Sequence, residues 1–208
     1  MINTAFLNEI KKLRALADTG LLYCKNEYDK ERYLELREIS FNLLNQFSGM
    51  SLEDLQFAFP PAADYPTAKV DIRGITFSDN HKKVLLVKES IDGKWSLPGG
   101  WADVGYSPKE TIVKEFKEET GLTVIAERLL AVFDKKMHPH PPQPFYVYKF
   151  VFYCKVISSQ IIKGFDVLDV EYFPLDRLPV LSEDRILKSQ IELVAAKVFD
   201  NNLEVYVD

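Results

Sequence analysis

Three carboxylates crowd one short stretch, Lys114-Glu115-Phe116-Lys117-Glu118-Glu119-Thr120-Gly121-Leu122. Glu115, Glu118 and Glu119 stand at i, i+3 and i+4, so on a helix they share one face with neighbouring Cβ atoms about 5 to 6 Å apart. Such crowding is repulsive unless a cation sits among the carboxylates. Mg²⁺, with Mn²⁺ as the other choice, is the hard ion that carboxylate oxygens share with substrate phosphates. An exposed amphipathic helix could carry the same residues, because glutamate is a good helix former and glutamate runs are common on surfaces. Context separates the two readings. A glycine loop, Leu97-Pro-Gly-Gly-Trp101, precedes the acidic segment, and Ile112 and Phe116 give the helix an apolar side to set against a sheet.

The elements that must position this face follow from periodicity. Ser107-Pro108 supplies a cap and first turn, and Gly121 a stop, so a helix is expected from Ser107 to Thr120. Strands are expected at Lys69–Phe77 and Lys83–Lys88, paired as a hairpin across Ser78-Asp-Asn-His81, then at Leu122–Asp134, Phe145–Ile157 and Val170–Pro174. A final helix is expected from about Glu183 to Asp200.

The first sixty residues have a different period. Ile2, Phe6, Ile10, Leu13 and Leu16 form a stripe that Thr19-Gly20 should end. Tyr33, Leu36, Ile39, Leu43 and Phe47 form a second, with Asp29 as its cap and Gly49 as its stop, and Ser51-Leu-Glu-Asp54 opens a short third helix. Prolines 60, 61 and 66 break the pattern. The chain therefore divides into a helical domain 1–59, a linker 60–66 and a catalytic domain 67–208.

Composition bounds the function. The chain has 208 residues, 47% of them hydrophobic, so a full core can form, and 26 basic against 31 acidic side chains give a net charge of -5. That charge argues against a protein that grips nucleic-acid backbone, which needs clustered Lys and Arg. No apolar run approaches the ~20 residues of a membrane span. Cys24 and Cys154 stand alone in the sequence, which suggests neither a disulfide framework nor a zinc site and fits a reducing cytoplasm.

The spacing as a whole resembles the Nudix box, G-x5-E-x7-R-E-U-x-E-E-x-G-U, where U is aliphatic. Here it runs Gly100-x5-Tyr106-x7-Lys114-Glu115-Phe116-x-Glu118-Glu119-x-Gly121-Leu122. Two positions depart from it: Tyr106 replaces a Glu and Lys114 an Arg. The box, the segment Gln56–Asp71, Trp95–Gly105 and His138-Pro-His-Pro-Pro-Gln-Pro144 ahead of Tyr148-Lys149 are similar to the bacterial Nudix subgroup of ADP-ribose and CDP-choline pyrophosphatases.

The resemblance implies an α+β fold, an α/β/α sandwich around a mixed sheet, preceded by the small all-α domain. It implies metal held by Glu115, Glu118 and Glu119 with the backbone carbonyl of Gly100, and a general base on the loop of Asp166 and Asp169, either of which could instead be a turn-forming residue beside Gly164. Substrate contacts are expected from Arg73 to a phosphate, from His138 and His140 at the rim of the site, and from Trp101, Tyr106 and Tyr148 by stacking. The expected activity is cleavage of ADP-ribose or CDP-choline to a nucleoside monophosphate and a phosphorylated sugar or alcohol. The alternatives are a nucleotide-sugar sensor without turnover and a hydrolase of RNA ends. The helical domain has no catalytic pattern and is marginal on its own; packing against the hydrolase domain or a second subunit would satisfy it, and a homodimer in which it covers the partner's active site is expected.

Overall fold

The computed structural model describes residues 4–60, 62–78, 82–157 and 160–208. The chain falls into two units, Met1–Ala68 with Pro142–Tyr146, and Lys69–Pro141 with Val147–Asp208.

The first unit contains α1 (Thr4–Tyr23), α2 (Glu27–Ser48) and α3 (Leu52–Ala58). Leu7, Ile10, Phe41, Leu44 and Leu55 form its core. Gly20 does not stop α1, which continues for three more residues. A Cβ there would lie 2.3 Å from the Tyr33 ring, so this glycine lets α2 approach rather than ending a helix. The cap of α2 is Asn26, whose side-chain oxygen accepts from the Asp29 N–H at 2.8 Å, so the expected cap is in fact the residue being capped. The buried stripes are also rotated from those expected. Phe6, Leu16 and Ile39 are 39%, 58% and 41% exposed, while Ile2 lies outside the described residues. The proline-rich segment Pro142–Tyr146 belongs to this unit through carbonyl bonds from Lys11 to Phe145 (3.4 Å) and from Arg14 to Pro144 (3.3 Å). The Tyr146 hydroxyl in turn donates to the Asn8 carbonyl at 2.9 Å.

The second unit runs β1 (Lys69–Ile75), β2 (Lys83–Glu89), β3 (Trp95–Ser96), β4 (Gly99–Trp101), α4 (Pro108–Thr120), β5 (Val124–Asp134), β6 (Val147–Val156), β7 (Val167–Pro174), α5 (Lys188–Phe199) and β8 (Tyr206–Val207), with a 3₁₀ turn at Lys135–Met137. A mixed sheet has the order β4-β1-β6-β5-β8, and a second sheet the order β3-β2-β7. Ile72, Leu85, Val124 and Phe152 pack with Ile112 and Phe116 of α4, while Ile75, Leu86, Phe133 and Val151 pack with Ile191 and Val194 of α5. Strand alternation thus sends neighbouring residues to opposite cores, and the result is an α/β/α sandwich.

The expected hairpin of β1 with β2 does not form as a ladder. Both edges of β1 are occupied, by β4 antiparallel and β6 parallel, so β2 pairs with β3 and β7 instead. What joins the two strands is a bridge between Phe77 and Val84 and a bond from Ser78 N–H to the Lys83 carbonyl at 2.9 Å. Asp79, Asn80 and His81 of the expected turn lie outside the described residues. The last helix begins later than its apolar pattern suggests, because Arg185 and Ile186 both donate to the Ser182 carbonyl in a turn before it. Among the described residues no helix is long and apolar enough to cross a membrane.

Candidate active site

Helix α4 is fixed at both ends by its own sequence. Ser107 and Glu110 form a reciprocal capping box, Pro108 occupies the first turn, and Gly121 closes the helix with φ of 71°. Ile112 and Phe116 are fully buried against the sheet, which leaves Glu115, Glu118 and Glu119 along one edge of the helix.

The glycine loop meets that edge backbone first. Gly99 N–H donates to Glu119 Oε2 at 2.9 Å. Glu115 lies so close to Gly100 that a Cβ there would stand 2.6 Å from its Oε1. Burial pushes the Glu119 carboxyl up to about 8 even though Arg73 and the Gly99 N–H favour its charged form. Burial also pushes Glu115 up to about 7, with Arg73 opposing and Glu118 adding repulsion. Glu118 is the outermost of the three, its side chain 47% exposed and 3.9 Å from Lys114.

Among the described residues, no three His, Cys, Asp or Glu side chains close on one point as a metal centre. The donor set nevertheless suits a hard divalent cation. Carboxylate oxygens are crowded on one helix edge, the two more buried ones hold protons near neutrality, and a side chain is missing where Gly100 faces Glu115. A cation would take the place of those protons, which is the coupling expected of a carboxylate metal site.

Arg73, expected to meet a phosphate, is buried and bonded within the protein. It is 5% exposed, and its guanidinium donates to Asp71 (2.8 Å), the Leu97 carbonyl (3.0 Å) and Ser96 Oγ (3.3 Å). Glu89 lies 3.6 Å from it and also takes bonds from Ser96 Oγ (2.6 Å) and Arg185 Nε (2.8 Å). Burial works against the Arg73 charge, but Asp71, Glu89 and Glu119 outweigh it and hold its pKa above the usual value. These bonds tie Arg73 to the loop that presents Gly99 to Glu119. Lys149, fully buried, donates to Asp71 and to the Arg185 carbonyl from the next strand. Sequence reasoning missed Glu89, Arg185 and Lys149 as site supports. Lys149 did carry a signal: it stands between Val147 and Val151 in the buried phase of β6.

The two departures from the box meet. Lys114 Nζ lies 5.1 Å from the centre of the Tyr106 ring and 2.9 Å from Asp103 Oδ2, which ties the loop after Trp101 to α4. Trp101 and Tyr106 are about half-exposed, with Lys69 Nζ 5.4 Å from the Trp101 ring centre, and Tyr148 is also half-exposed.

The two acidic candidates on the later loop separate. Asp166 is exposed and close enough to Glu115 for its charge to favour the protonated carboxyl there. Asp169 sits within β7 opposite Lys88 and accepts from the Val170 N–H at 2.8 Å. The loop is held on α4 by Gly164, whose N–H donates to the Glu119 carbonyl at 2.9 Å.

His138 and His140 each have one ring nitrogen engaged by a residue far along the chain. His138 Nε2 is 2.8 Å from Asp208 Oδ2, and His140, 8% exposed, has Nδ1 2.6 Å from the Glu183 carbonyl. That carbonyl can only accept, so Nδ1 of His140 carries the proton. Burial lowers the His140 pKa to about 4 and keeps it neutral.

An acidic helix edge met by a glycine loop at the rim of an α/β/α sandwich defines a hydrolase of phosphoric anhydrides. Comparison with known proteins narrows the class. Residues 4–59 match the model of the UDP-X-like N-terminal oligomerisation domain, and residues 68–195 that of the NUDIX domain. Over 193 residues the chain is 40% identical to a Bacillus subtilis (strain 168) protein named "Putative ADP-ribose pyrophosphatase YjhB", covering 93% of this chain and 92% of the relative. It is 36% identical over 123 residues to an ADP-ribose pyrophosphatase of Methanocaldococcus jannaschii, covering 58% of this chain and 69% of the relative. Among solved structures it resembles a UDP-X diphosphatase (38% identity, TM-score 0.63, all of both chains). It also resembles an ADP-ribose pyrophosphatase from Streptococcus suis 89-1591 (35% identity, TM-score 0.61, 68% of this chain and 100% of the other). The chain belongs to the Nudix family and is a Nudix-type pyrophosphatase.

Proposed function

We propose that the protein cleaves a nucleoside diphosphate linked to a second moiety, with ADP-ribose as the first candidate and CDP-choline as the second, in the presence of Mg²⁺ or Mn²⁺. The observation that carries this reading is the seating of Glu119 on the Gly99 N–H with Glu115 beside Gly100. The names of the relatives at 40% and 36% identity support ADP-ribose over CDP-choline, and the likeness to a UDP-X diphosphatase supports a nucleoside diphosphate in either case.

Glu115, Glu118 and Glu119 would hold the divalent cation, with the Gly100 backbone at its edge; when bound, it lowers the pKa of water and neutralises phosphoryl charge. The residues of the chain do the rest. Arg73 and Ser96 fix the loop, so that the carboxylates stay aimed without reorganising. Asp166 accepts a proton from the attacking water as its oxygen bonds to phosphorus. The bridging P–O bond breaks, and each product leaves with one phosphate.

Phe6, Leu16, Leu34 and Ile39 are 39%, 58%, 50% and 41% exposed on the helical unit, which matches an oligomerisation-domain model. They support a homodimer in which each helical unit lies over the partner's site. Light scattering that returned a monomer at micromolar concentration would end that part of the proposal.

The test of the activity is end-point hydrolysis of ADP-ribose, CDP-choline, a nucleotide sugar and a short RNA in Mg²⁺ and in Mn²⁺, with Glu119→Gln as control. Metal-dependent release of a nucleoside monophosphate that the variant abolishes is the expected result. Binding of these compounds without turnover would overturn it.

A further inference from the structure

The segment from Ile162 to Asp166 is tied to the end of α4 by its backbone. Ile162 N–H donates to the Thr120 carbonyl at 2.8 Å, and Gly164 N–H to the Glu119 carbonyl at 2.9 Å. A Cβ at Gly164 would lie 2.0 Å from the Glu118 carbonyl oxygen, so glycine alone permits this approach. The carbonyls of Thr120 and Glu119 therefore fix the position of the next residue, one Cα step of about 3.8 Å away. That residue is Phe165, 95% exposed, and Asp166 follows it.

A phenylalanine ring almost wholly in water, beside an acidic site, gives up the burial that is its main source of stability. Two other exposed aromatic rings, Trp101 and Tyr106, have cations over them, Lys69 and Lys114. Phe165 offers a π face without a charge, the surface on which a nucleobase stacks.

We propose that Phe165 is the stacking platform for the nucleobase of the substrate and so sets which half of the molecule lies on the Gly164 side of α4. The inference rests on the reading of the substrate as a nucleoside diphosphate derivative. It assigns the base to this loop and the second moiety to the side of Trp101 and Tyr106.

Hydrolysis of ADP-ribose yields AMP and ribose 5-phosphate, so inhibition by each product reads one half of the site. With the full-length protein, Phe165→Ala should raise KM for ADP-ribose and Ki for AMP about tenfold, while kcat and Ki for ribose 5-phosphate stay within about twofold. Phe165→Trp should restore both. Unchanged Ki for AMP, or equal weakening of both products, overturns the proposal. A change in oligomeric mass with unchanged Ki would show an intersubunit contact and overturn it too. If the wild-type protein does not hydrolyse ADP-ribose, the substrate reading fails separately, and equilibrium dialysis of AMP against wild type and Phe165→Ala still decides the role of the ring.

Discussion

The ammonium of Lys114 stands 5.1 Å from the centre of the Tyr106 ring. Both positions depart from the box, and they are eight residues apart in sequence. Read singly, Tyr106 loses a carboxylate and Lys114 loses a planar fork of donors. Read together, they place a cation over an aromatic face, with Asp103 taking the ammonium at 2.9 Å. The loop between Gly100 and Ser107 is thereby tied to the helix that carries the glutamates.

Loss of either partner should release the same loop. Tyr106→Ala and Lys114→Ala are expected to lower kcat/KM by similar factors, and the double variant should be no worse than the weaker single one. Steady-state kinetics on the four proteins measure the coupling; strictly multiplicative losses would show that the two residues act independently.

Gly99 and Gly100 should fail differently. At Gly99 φ is 138° and an added Cβ would lie 2.1 Å from the Ile72 carbonyl, fixed backbone of β1, so Gly99→Ala should destabilise the fold. At Gly100 the obstacle is the far end of the Glu115 side chain, which can swing aside. Gly100→Ala should therefore melt near the wild-type temperature but lose activity on the order of 10²-fold, the typical effect of a displaced catalytic group. Thermal melts beside activity assays separate the two.

Asp166 and Asp169 are three residues apart, and Asp166 acts on Glu115 through its charge while Asp169 sits within β7. Asp166→Asn should lower kcat on the order of 10² to 10⁴-fold with KM little changed, and Asp169→Asn should leave both near wild type. The reverse pattern would move the general base to β7.

Stability in EDTA should fall as pH rises. Burial, opposed by Arg73 and aided by repulsion from neighbouring carboxylates, puts Glu115 and Glu119 at about 7 and about 8 in the folded chain, against 4.5 for an ordinary glutamate. The folded state thus binds more protons than the unfolded one from about pH 4.5 to about 8, and stability declines across that window. Glu119→Gln should flatten the decline, and Mg²⁺ should raise the melting temperature more at pH 8 than at pH 6, because only deprotonated carboxylates bind it. Melting temperatures between pH 5 and pH 9 test the sign.

Much of the local order was legible because short-range chemistry dictates it. Ser107-Pro108 and Gly121 bound α4, Ser51 caps α3, and the i, i+3, i+4 spacing of Glu115, Glu118 and Glu119 sets one acidic edge. Gly20 misled for the same reason: a stop signal and a close-packing contact look alike until Tyr33 is in place.

Tertiary structure decided what depends on residues distant in the chain. That Arg73 is buried among partners follows from Glu89 and Leu97, sixteen and twenty-four residues further on, arriving beside it. That His138 and His140 are engaged follows from Asp208 and Glu183, seventy and forty-three residues further on. Spacing along the sequence determined which carboxylates share a helix edge. Which of them is buried, which faces a glycine N–H and which later loop lies beside them depended on the sandwich closing around β1, because desolvation and charge act through space and not along the chain.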